Sequence, residues 1–279
     1  MTWRIDWPNA VALVTGASSG IGYETALAFA KRGARVVGVA RREERLRELV
    51  AACGDRTSYL AGDLGEQAFA ERIVADTVAR YGRIDVLVNN AAIPKHKQIY
   101  DLSPAEAELV MRVNFLSPVW STLAAIPAML AQGGGAIVNV SSFAALVPPP
   151  RETIYAASKA ALNMWSAGLW NDLHGSGVHV AIVNPGAIET EIWQKLDTAP
   201  AFSGRKHSPR IVVDAILACV ERGVYERTAP RRSAGLVAAR FLRALAPGLM
   251  RRAMVAFDPV PADVLAQARA RASGGKRQA

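Results

Sequence analysis

Cysteine and histidine are scarce in this sequence. Among its 279 residues there are only two cysteines, Cys53 and Cys219, and four histidines. The cysteines lie far apart and fit no metal-ligand spacing, so the sequence indicates neither a disulfide framework nor a zinc site, and no metal is expected. So few thiols, without a pairing pattern, are typical of a reducing compartment.

Long uninterrupted apolar runs are also missing. The amino-terminal stretch MTWRIDWPNA carries charge and lacks the apolar core of a signal peptide. Elsewhere Pro or Arg interrupts each long apolar stretch before it reaches the thickness of a bilayer. We therefore expect a soluble, cytoplasmic protein.

Acidic residues are absent from residues 227–257, although the whole chain has 24 of them. The same segment contains arginines at positions 227, 231, 232, 240, 243, 251 and 252, and the net charge of the chain is +9. Nucleic acid, an anionic membrane surface or an acidic ligand would suit this balance, and so would a solvated basic face on carboxyl-terminal helices. Because aromatic residues are sparse there and no nucleic-acid motif occurs, no nucleic-acid partner is expected.

The chain does contain short β-branched runs that alternate with longer helical patterns. Strands are predicted at 11–14, 36–39, 57–60, 86–88, 136–140 and 178–183, and helices at 20–31, 43–52, 67–81, 104–130 and 155–174. Such connections suit right-handed crossovers, so we predict an α/β fold, a doubly wound parallel sheet with helices on both faces. A 51% hydrophobic content over this length is enough for a single domain.

Three glycines follow the first predicted strand, in the stretch VALVTGASSGIGY. Gly16, Gly20 and Gly22 would let the chain turn tightly, bring backbone N–H groups close to a pyrophosphate, and pack the next helix against the strand. Their spacing is Gly-x-x-x-Gly-x-Gly, and not the usual Gly-x-Gly-x-x-Gly. The glycines alone are therefore a weak indication of a dinucleotide site.

Further motifs follow the glycines in order: NNAA at 89–92, Ser142, and YAASK at 155–159. With TGASSGIG, they resemble the short-chain dehydrogenase/reductase family of NAD(P)-dependent oxidoreductases, over residues 8–225 of this chain. The resemblance implies a Rossmann fold and an enzyme, an NAD(P)-dependent short-chain dehydrogenase/reductase. Where the family usually has glycine, this chain has Ala92.

The resemblance also implies which residues bind the cofactor. Where NAD-dependent relatives have an acidic side chain at the end of the second strand, this chain has Ala40, followed by Arg41 and Arg42. Because a guanidinium binds a 2′-phosphate through paired hydrogen bonds, NADP(H) is expected in preference to NAD(H), with Arg41 as the main contact. The alternative is that ARREERLREL simply starts a charged helix. The other implied cofactor-binding residues are Gly16, Ser18, Ser19, Gly20, Ile21, Gly22, Asp63, Leu64, Asn90, Ala91, Tyr155, Lys159, Pro185, Gly186, Ile188 and Thr190.

Tyr155 and Lys159 lie four residues apart and so share one face of a helix. An adjacent ammonium and the oxidised nicotinamide would favour the phenolate, so Tyr155 can act as general acid or base. By resemblance, Lys159 also hydrogen-bonds the nicotinamide ribose. Ser142 would hydrogen-bond the substrate carbonyl, and Ser141 is its local rival. Asn114 is implied to hold a water beside the lysine through its backbone carbonyl and side chain.

The expected reaction is hydride transfer between the nicotinamide and a carbonyl or secondary alcohol. Apolar candidates for the substrate pocket favour a lipophilic compound such as a steroid, retinoid, fatty-acyl or xenobiotic one, although core packing would select the same residues. They are Ile93, the stretch 143–150, and Ile192, Trp193, Leu196 and Phe202 in a lid at 189–209. His96 is assigned no role. The alternative is a non-catalytic nicotinamide-sensing regulator on the same fold, but such proteins often lose the Tyr or Lys.

Residues 1–225 are thus predicted to form a Rossmann-fold dinucleotide-binding and catalytic domain. Residues 226–268 are predicted as a basic amphipathic helical extension, and residues 269–279 as a disordered tail. The extension would cover the pocket or pack on a partner subunit, or else contact an anionic membrane through residues 231–254. By resemblance we expect a homo-oligomer, a dimer or tetramer, joined through residues 104–130 and 155–174.

Overall fold

The β-branched runs form a seven-stranded parallel sheet in the computed structural model, which describes residues 4–198, 202–231 and 233–274. The strand order is β3-β2-β1-β4-β5-β6-β7, so the chain starts near the middle, winds to one edge and then crosses to the other. This confirms the predicted doubly wound α/β fold. The strands are β1 (Val11–Thr15), β2 (Arg35–Ala40), β3 (Thr57–Ala61), β4 (Val86–Asn89), β5 (Gly135–Val140), β6 (Val178–Pro185) and β7 (Glu226–Ala229).

Helices cover both faces of the sheet, because successive strand side chains point to opposite faces and both sets are apolar. In β1, Val14 belongs to a buried cluster with Phe29 and Ile216, while Leu13 belongs to a second cluster with Ile73. The first cluster is covered by α1, α2 and α7, and the second by α3 and α5. Their bounds are α1 (Gly20–Ala30), α2 (Glu43–Cys53), α3 (Gln67–Tyr81), α4 (Pro104–Met111), α5 (Ser117–Ala131), α6 (Thr153–Asp172) and α7 (Arg210–Arg222).

The helix predicted at 104–130 is interrupted in its middle. A π-helical turn, Arg112–Leu116, joins α4 to α5 and contains the buried Asn114. The combined helix Pro104–Ala131 is long and apolar enough to cross a membrane by length and composition alone. Arg112, Pro118 and Pro127 do lie within it, as predicted, but they do not end the helix short of membrane length. In this fold, however, α5 is a core helix, because Ser121 donates a hydrogen bond to Asn89 Oδ1 (2.9 Å) and Met129 is fully buried.

The carboxyl-terminal part departs from the prediction at two places. Residues 226–229 form β7, paired with β6, where the helical extension was predicted to begin. After it come the predicted amphipathic helices, α8 (Ala234–Leu245) and α9 (Pro247–Phe257), and then α10 (Ala262–Gly274). Residues 269–274 belong to α10, which corrects the disordered tail for that part, and residues 275–279 of the predicted tail lie outside the described residues.

Candidate active site

The turn between β1 and α1 shows the close backbone approach that its glycines predict. Gly16 and Gly20 have positive φ angles of 68° and 57°, which other residues rarely adopt. A Cβ on Gly22 would lie 2.3 Å from the Gly16 carbonyl oxygen, so no larger residue fits there. Helix α1 begins at Gly20, and its positive dipole end meets a cavity lined by Gly16, Ser18, Ser19 and Gly20. An anionic pyrophosphate fits this place.

Thr15 ties the glycine turn to the NNAA motif. Its hydroxyl accepts hydrogen bonds from the backbone N–H groups of Asn90 (2.9 Å) and Ala91 (3.1 Å), and Asn90 Nδ2 donates to the Thr15 carbonyl (3.0 Å). Asn90, Ala91 and Ala92 also line the cavity. The sequence analysis assigned Thr15 no role, although its position as the first residue of TGASSGIG was a usable signal.

The residues implied to hold the adenosine half lie along one side of the cavity. Asp63 and Leu64 line it after β3, and Asp63 Oδ1 accepts a hydrogen bond from the Gly65 N–H (2.9 Å), which fixes the carboxylate. Arg41 is exposed at the cavity rim. Within the described residues, no hydrogen bond or ion pair engages its guanidinium. It is therefore available to a phosphate.

Arg42 has a more defined place than its neighbour. Its guanidinium donates hydrogen bonds to the hydroxyls of Ser18 (3.2 Å) and Ser19 (2.9 Å), and it pairs with the Glu191 carboxylate at 2.8 Å. Arg42 thus connects the glycine turn to the predicted lid. Sequence reasoning assigned the cofactor contact to Arg41 and missed this second arginine, for which the serines of TGASSGIG offered no recognisable signal.

The stretch after β6 borders the other half of the cavity. Pro185, Gly186, Ile188 and Thr190 all line it. A Cβ on Gly20 would come 2.9 Å from Thr190 Cγ2, so this stretch meets the glycine turn directly. Trp193 Nε1 donates a 2.6 Å hydrogen bond to the Ile188 carbonyl, which holds the start of the lid against the end of β6.

Tyr155 and Ser142 meet at the cavity wall. The Ser142 hydroxyl accepts a hydrogen bond from the Ala144 N–H (3.1 Å) and lies close enough to the Tyr155 phenol to lower its pKa. Its rival Ser141 is turned away, because its hydroxyl donates to the Lys159 carbonyl (3.1 Å). Burial raises the pKa of Tyr155 to about 12, and the Ser142 hydroxyl opposes that rise. The phenol is therefore protonated at neutral pH in this state.

Lys159 lies one turn further along α6, at 2% exposure. Its Nζ donates a 2.9 Å hydrogen bond to the Val140 carbonyl, and burial lowers its pKa to about 7. The sequence analysis expected an ammonium beside the phenol that favours phenolate. In this state the lysine is held by the backbone of β5, and desolvation dominates the pKa of both groups.

Asn114 lies outside the cavity wall. Its Oδ1 accepts from the Ile93 N–H (2.9 Å), and its Nδ2 donates to the Ile93 carbonyl (3.0 Å) and to Ser158 (3.2 Å). Both amide hydrogens are therefore used between the loop after β4 and α6. The implied role of Asn114 in holding a water stays a prediction, for which Oδ1 keeps a second lone pair.

A cavity of about 630 Å³ joins these groups. Every predicted catalytic and cofactor-binding residue lines it except Gly22, which packs behind the turn, and Asn114. Most of the predicted pocket residues line its far end, along with apolar residues of the carboxyl-terminal helices that sequence reasoning did not place there. The former are Ile93, Phe143, Ala144, Val147, Pro149, Pro150, Ile192, Trp193, Leu196 and Phe202, and the latter are Leu236, Ala239, Met250, Met254 and Phe257.

Ion pairs hold the predicted lid and helix α9 at this far end of the cavity. Lys95, before the lid in sequence, pairs with Asp197 of the lid at 3.0 Å, and the buried His96 shares a 2.8 Å hydrogen bond with the Thr198 hydroxyl. Arg151 pairs with Asp258, the residue after α9, at 2.6 Å, and both side chains are largely buried. Residues of α8 and α9 thus border the pocket, which is one of the placements predicted for the extension.

Comparison with known proteins agrees with this geometry. Residues 10–201 match the family described as short chain dehydrogenase. A short chain dehydrogenase of Pseudocercospora fijiensis is 40% identical over 187 residues, which are 65% of this chain and 60% of that protein. An 11-beta-hydroxysteroid dehydrogenase 1A of Arabidopsis thaliana is 41% identical over 191 residues, 66% of this chain and 54% of that protein. The chain thus aligns with a little over half the length of these relatives.

Solved structures show the same fold. A metagenomic short-chain oxidoreductase in complex with NADP superposes with a TM-score of 0.69 at 31% identity, covering 79% of this chain and 96% of its own. A 3-ketoacyl-(acyl-carrier-protein) reductase from Brucella melitensis, complexed with NADH, superposes with a TM-score of 0.70 at 30% identity, covering 76% of this chain and 90% of its own. One of these two structures thus contains NADP and the other contains NADH.

Proposed function

The chain belongs to the short-chain dehydrogenase family, and from this membership we propose that it is an NADP(H)-dependent oxidoreductase acting on the carbonyl or secondary alcohol of a lipophilic substrate. The observation that carries the proposal is the meeting of Tyr155 and Ser142 on the wall of a cavity with a glycine turn at one end and apolar side chains at the other. A nicotinamide cofactor supplies the hydride in reduction and accepts it in oxidation.

In the reductive direction, the protonated Tyr155 donates its proton to the carbonyl oxygen as negative charge develops there. Ser142 donates a hydrogen bond to the same oxygen, which also orients the carbonyl. A pKa of about 12 keeps the phenol protonated at neutral pH. Oxidation requires the phenolate, and we propose that Lys159, protonated beside the cofactor, then lowers the pKa of Tyr155.

The test compares wild type with Tyr155→Phe in NADPH consumption across lipophilic ketones and aldehydes. We expect the variant to lose turnover while its NADPH affinity, measured by fluorescence, stays within about threefold, because only the hydroxyl is removed. Turnover that persists in Tyr155→Phe would exclude the tyrosine as the proton donor. NADPH binding without turnover of any substrate by the wild type would favour the second candidate, a nicotinamide-sensing regulator.

The proposed preference for NADP(H) is supported by the exposed, unengaged Arg41 at the rim and by the absence of an acidic residue at Ala40. An acidic side chain there would bond the ribose hydroxyls and repel a 2′-phosphate. The proposed lipophilic substrate is supported by the apolar far end of the cavity. The Arabidopsis relative is named a hydroxysteroid dehydrogenase, and steroids are lipophilic compounds.

We further propose that the outer surface of α8 and α9 contacts an anionic membrane. Large apolar side chains are exposed there, with Phe241 62%, Leu245 82% and Leu249 57% accessible, beside the arginines of an acid-free segment. Co-sedimentation with vesicles containing phosphatidylserine should fall in Leu245→Ser and persist in Ile99→Ser, a matched exposed apolar position elsewhere. Equal sedimentation of both variants with the wild type would refute this contact.

The homo-oligomer is proposed to form through α5 and α6, where Leu123, Met164 and Trp170 are exposed. Sedimentation velocity would report the oligomer. Met164→Glu, which places a charge on that face, is expected to shift the protein to the monomer. A monomeric wild type at micromolar concentration would contradict the proposal.

A further inference from the structure

Glu152 is a carboxylate in the substrate end of the cavity that the chain itself leaves unused. It is the residue before α6, one helical turn before Tyr155, and it lines the cavity. A residue at this position commonly caps the helix with its side chain, but Glu152 makes no capping hydrogen bond. Within the described part of the chain, its carboxyl has no hydrogen bond or ion pair.

Three cations that neighbour Glu152 in the sequence or line the same cavity are engaged elsewhere. Arg151, its neighbour, has a positive φ of 62°, and its guanidinium pairs with Asp258. Lys159 donates to the Val140 carbonyl, and Lys95 pairs with Glu106 and Asp197. Glu152 is thus left facing the cavity without an internal counter-charge, although a suitable arginine is next to it in the sequence.

An unpartnered carboxyl in such a place carries a cost. Burial raises the pKa of Glu152 to about 7, and its charge in turn raises the pKa of Tyr155, so the two groups lie within electrostatic reach. Isolated charges are costly to bury, and they are found in ligand pockets where a few placed polar groups fix the orientation of the ligand. Glu152 is therefore a hydrogen-bond acceptor near the proton donor Tyr155, and the chain itself provides no donor for it.

We propose that Glu152 is a specificity-determining residue, whose carboxylate binds a hydroxyl or ammonium donor that the substrate carries on the α- or β-carbon next to its reacting carbonyl. Glu152 and Tyr155 lie three residues apart at the start of α6, and both line the same cavity. One small molecule can then place its carbonyl oxygen against Tyr155 and its hydrogen-bond donor against Glu152. The substrate class becomes an apolar ketone or alcohol with one adjacent polar donor. This inference rests on the proposed function.

Catalysis gives the first test, with a matched set of aryl ketones: the parent ketone, its α-hydroxy analogue and its α-amino analogue. We expect wild-type kcat/KM to favour the two donor-bearing ketones over the parent by about tenfold to a hundredfold, the range for a hydrogen bond to a charged group. Glu152→Gln should lose the preference for the amine and keep part of the preference for the hydroxyl, because an amide oxygen still accepts. Glu152→Ala should lose both preferences, because no acceptor remains at that position.

Two catalytic results would overturn the inference: an unchanged donor preference in Glu152→Ala, or an equal loss of activity on all three ketones, which indicates a purely structural role. Thermal denaturation of each variant identifies misfolding, and Glu152→Gln keeps the side-chain volume. Reduction of the parent ketone without any donor preference would refute this inference alone.

Binding gives the second test and does not depend on turnover. Isothermal titration of wild type with a lipophilic primary arylalkylamine, in the presence of NADPH, is compared with its neutral methyl analogue. We expect the amine to bind at least about tenfold more tightly than the analogue, and Glu152→Gln to remove the difference. Equal affinities of the two ligands for wild type would overturn the inference even if every ketone is reduced, and absence of turnover with this binding pattern intact would count only against the proposed function.

Discussion

The ion pair between Arg151 and Asp258 is expected to hold α9 over the cavity, and Asp258→Asn tests this directly. Asp258 is 6% exposed, and the Arg151 side chain is 17% exposed. Loss of one partner of a buried pair costs about 3–5 kcal/mol when the other charge stays buried. The buried side chain of α9 is Met250, at 6% exposure, whose burial is worth about 1.5–3 kcal/mol.

At the midpoints of these ranges the first cost exceeds the second by about 2 kcal/mol. In Asp258→Asn the favourable response is therefore release of α9, which lets water reach the Arg151 guanidinium. At 1.4 kcal/mol per factor of ten, the closed form falls to about one tenth or less, and KM rises at least about tenfold. NADPH binding should be unchanged, because the glycine turn lies at the other end of the cavity.

The assay combines KM, NADPH affinity and hydrogen exchange of residues 250–257. The matched control is Asp101→Asn, which breaks the exposed pair with Arg271, where the expected effect is below about 1 kcal/mol. If Asp258→Asn keeps both its KM and its exchange protection in α9, the pair does not hold the cover and the reasoning is wrong. If the variant instead lowers the midpoint of global unfolding with α9 still protected, the charge has been tolerated in place.

Three further predictions concern single positions. Gly22→Ala should abolish NADPH binding in a fluorescence titration, because its Cβ would meet the Gly16 carbonyl at 2.3 Å and displace the turn, whereas Gly54→Ala, where a Cβ meets open space at a positive φ, should cost stability but keep binding. Arg41→Ala should raise the KM for NADPH about tenfold or more and leave that for NADH unchanged, and an equal rise for both would contradict the 2′-phosphate contact. Glu152→Gln should alter the pH dependence of urea unfolding. The folded pKa of Glu152, about 7, lies above its unfolded value, so the carboxyl stabilises wild type by up to about 3 kcal/mol below pH 4.5, and this stabilisation is lost as the pH rises to 7. Between pH 5 and pH 8 the free energy of unfolding of the variant should therefore rise relative to that of wild type.

The sequence could predict those parts of the fold and site that depend on local motifs. Strand β1, the positive φ angles of Gly16 and Gly20, and the shared face of Tyr155 and Lys159 all follow from residues within a few positions of each other. Parallel pairing then brings the carboxyl ends of the strands to one edge, where the motifs meet. For this reason nearly all predicted site residues line one cavity.

Features that depend on distant contacts could not be read in this way. Strand β7 has the sequence ERTA, which is mainly polar and lacks a β-branched apolar run, so the sequence does not predict a strand there. Pairing with β6 fixes its place. The Asn114 side chain hydrogen-bonds Ile93 and Ser158, which lie 21 and 44 residues away. The inward faces of α8 and α9 likewise become visible only when Arg151 and Asp258 are seen together.

The position of Arg42 makes the two ends of the cavity interdependent. A single guanidinium bonds the serines of the glycine turn and, at 2.8 Å, the carboxylate of Glu191 at the mouth of the lid. A phosphate bound beside Arg41 would compete with the Glu191 carboxylate for the Arg42 guanidinium. A bound phosphate at this turn is therefore expected to weaken the contact between Arg42 and Glu191, the first residue of the short helix that begins the lid.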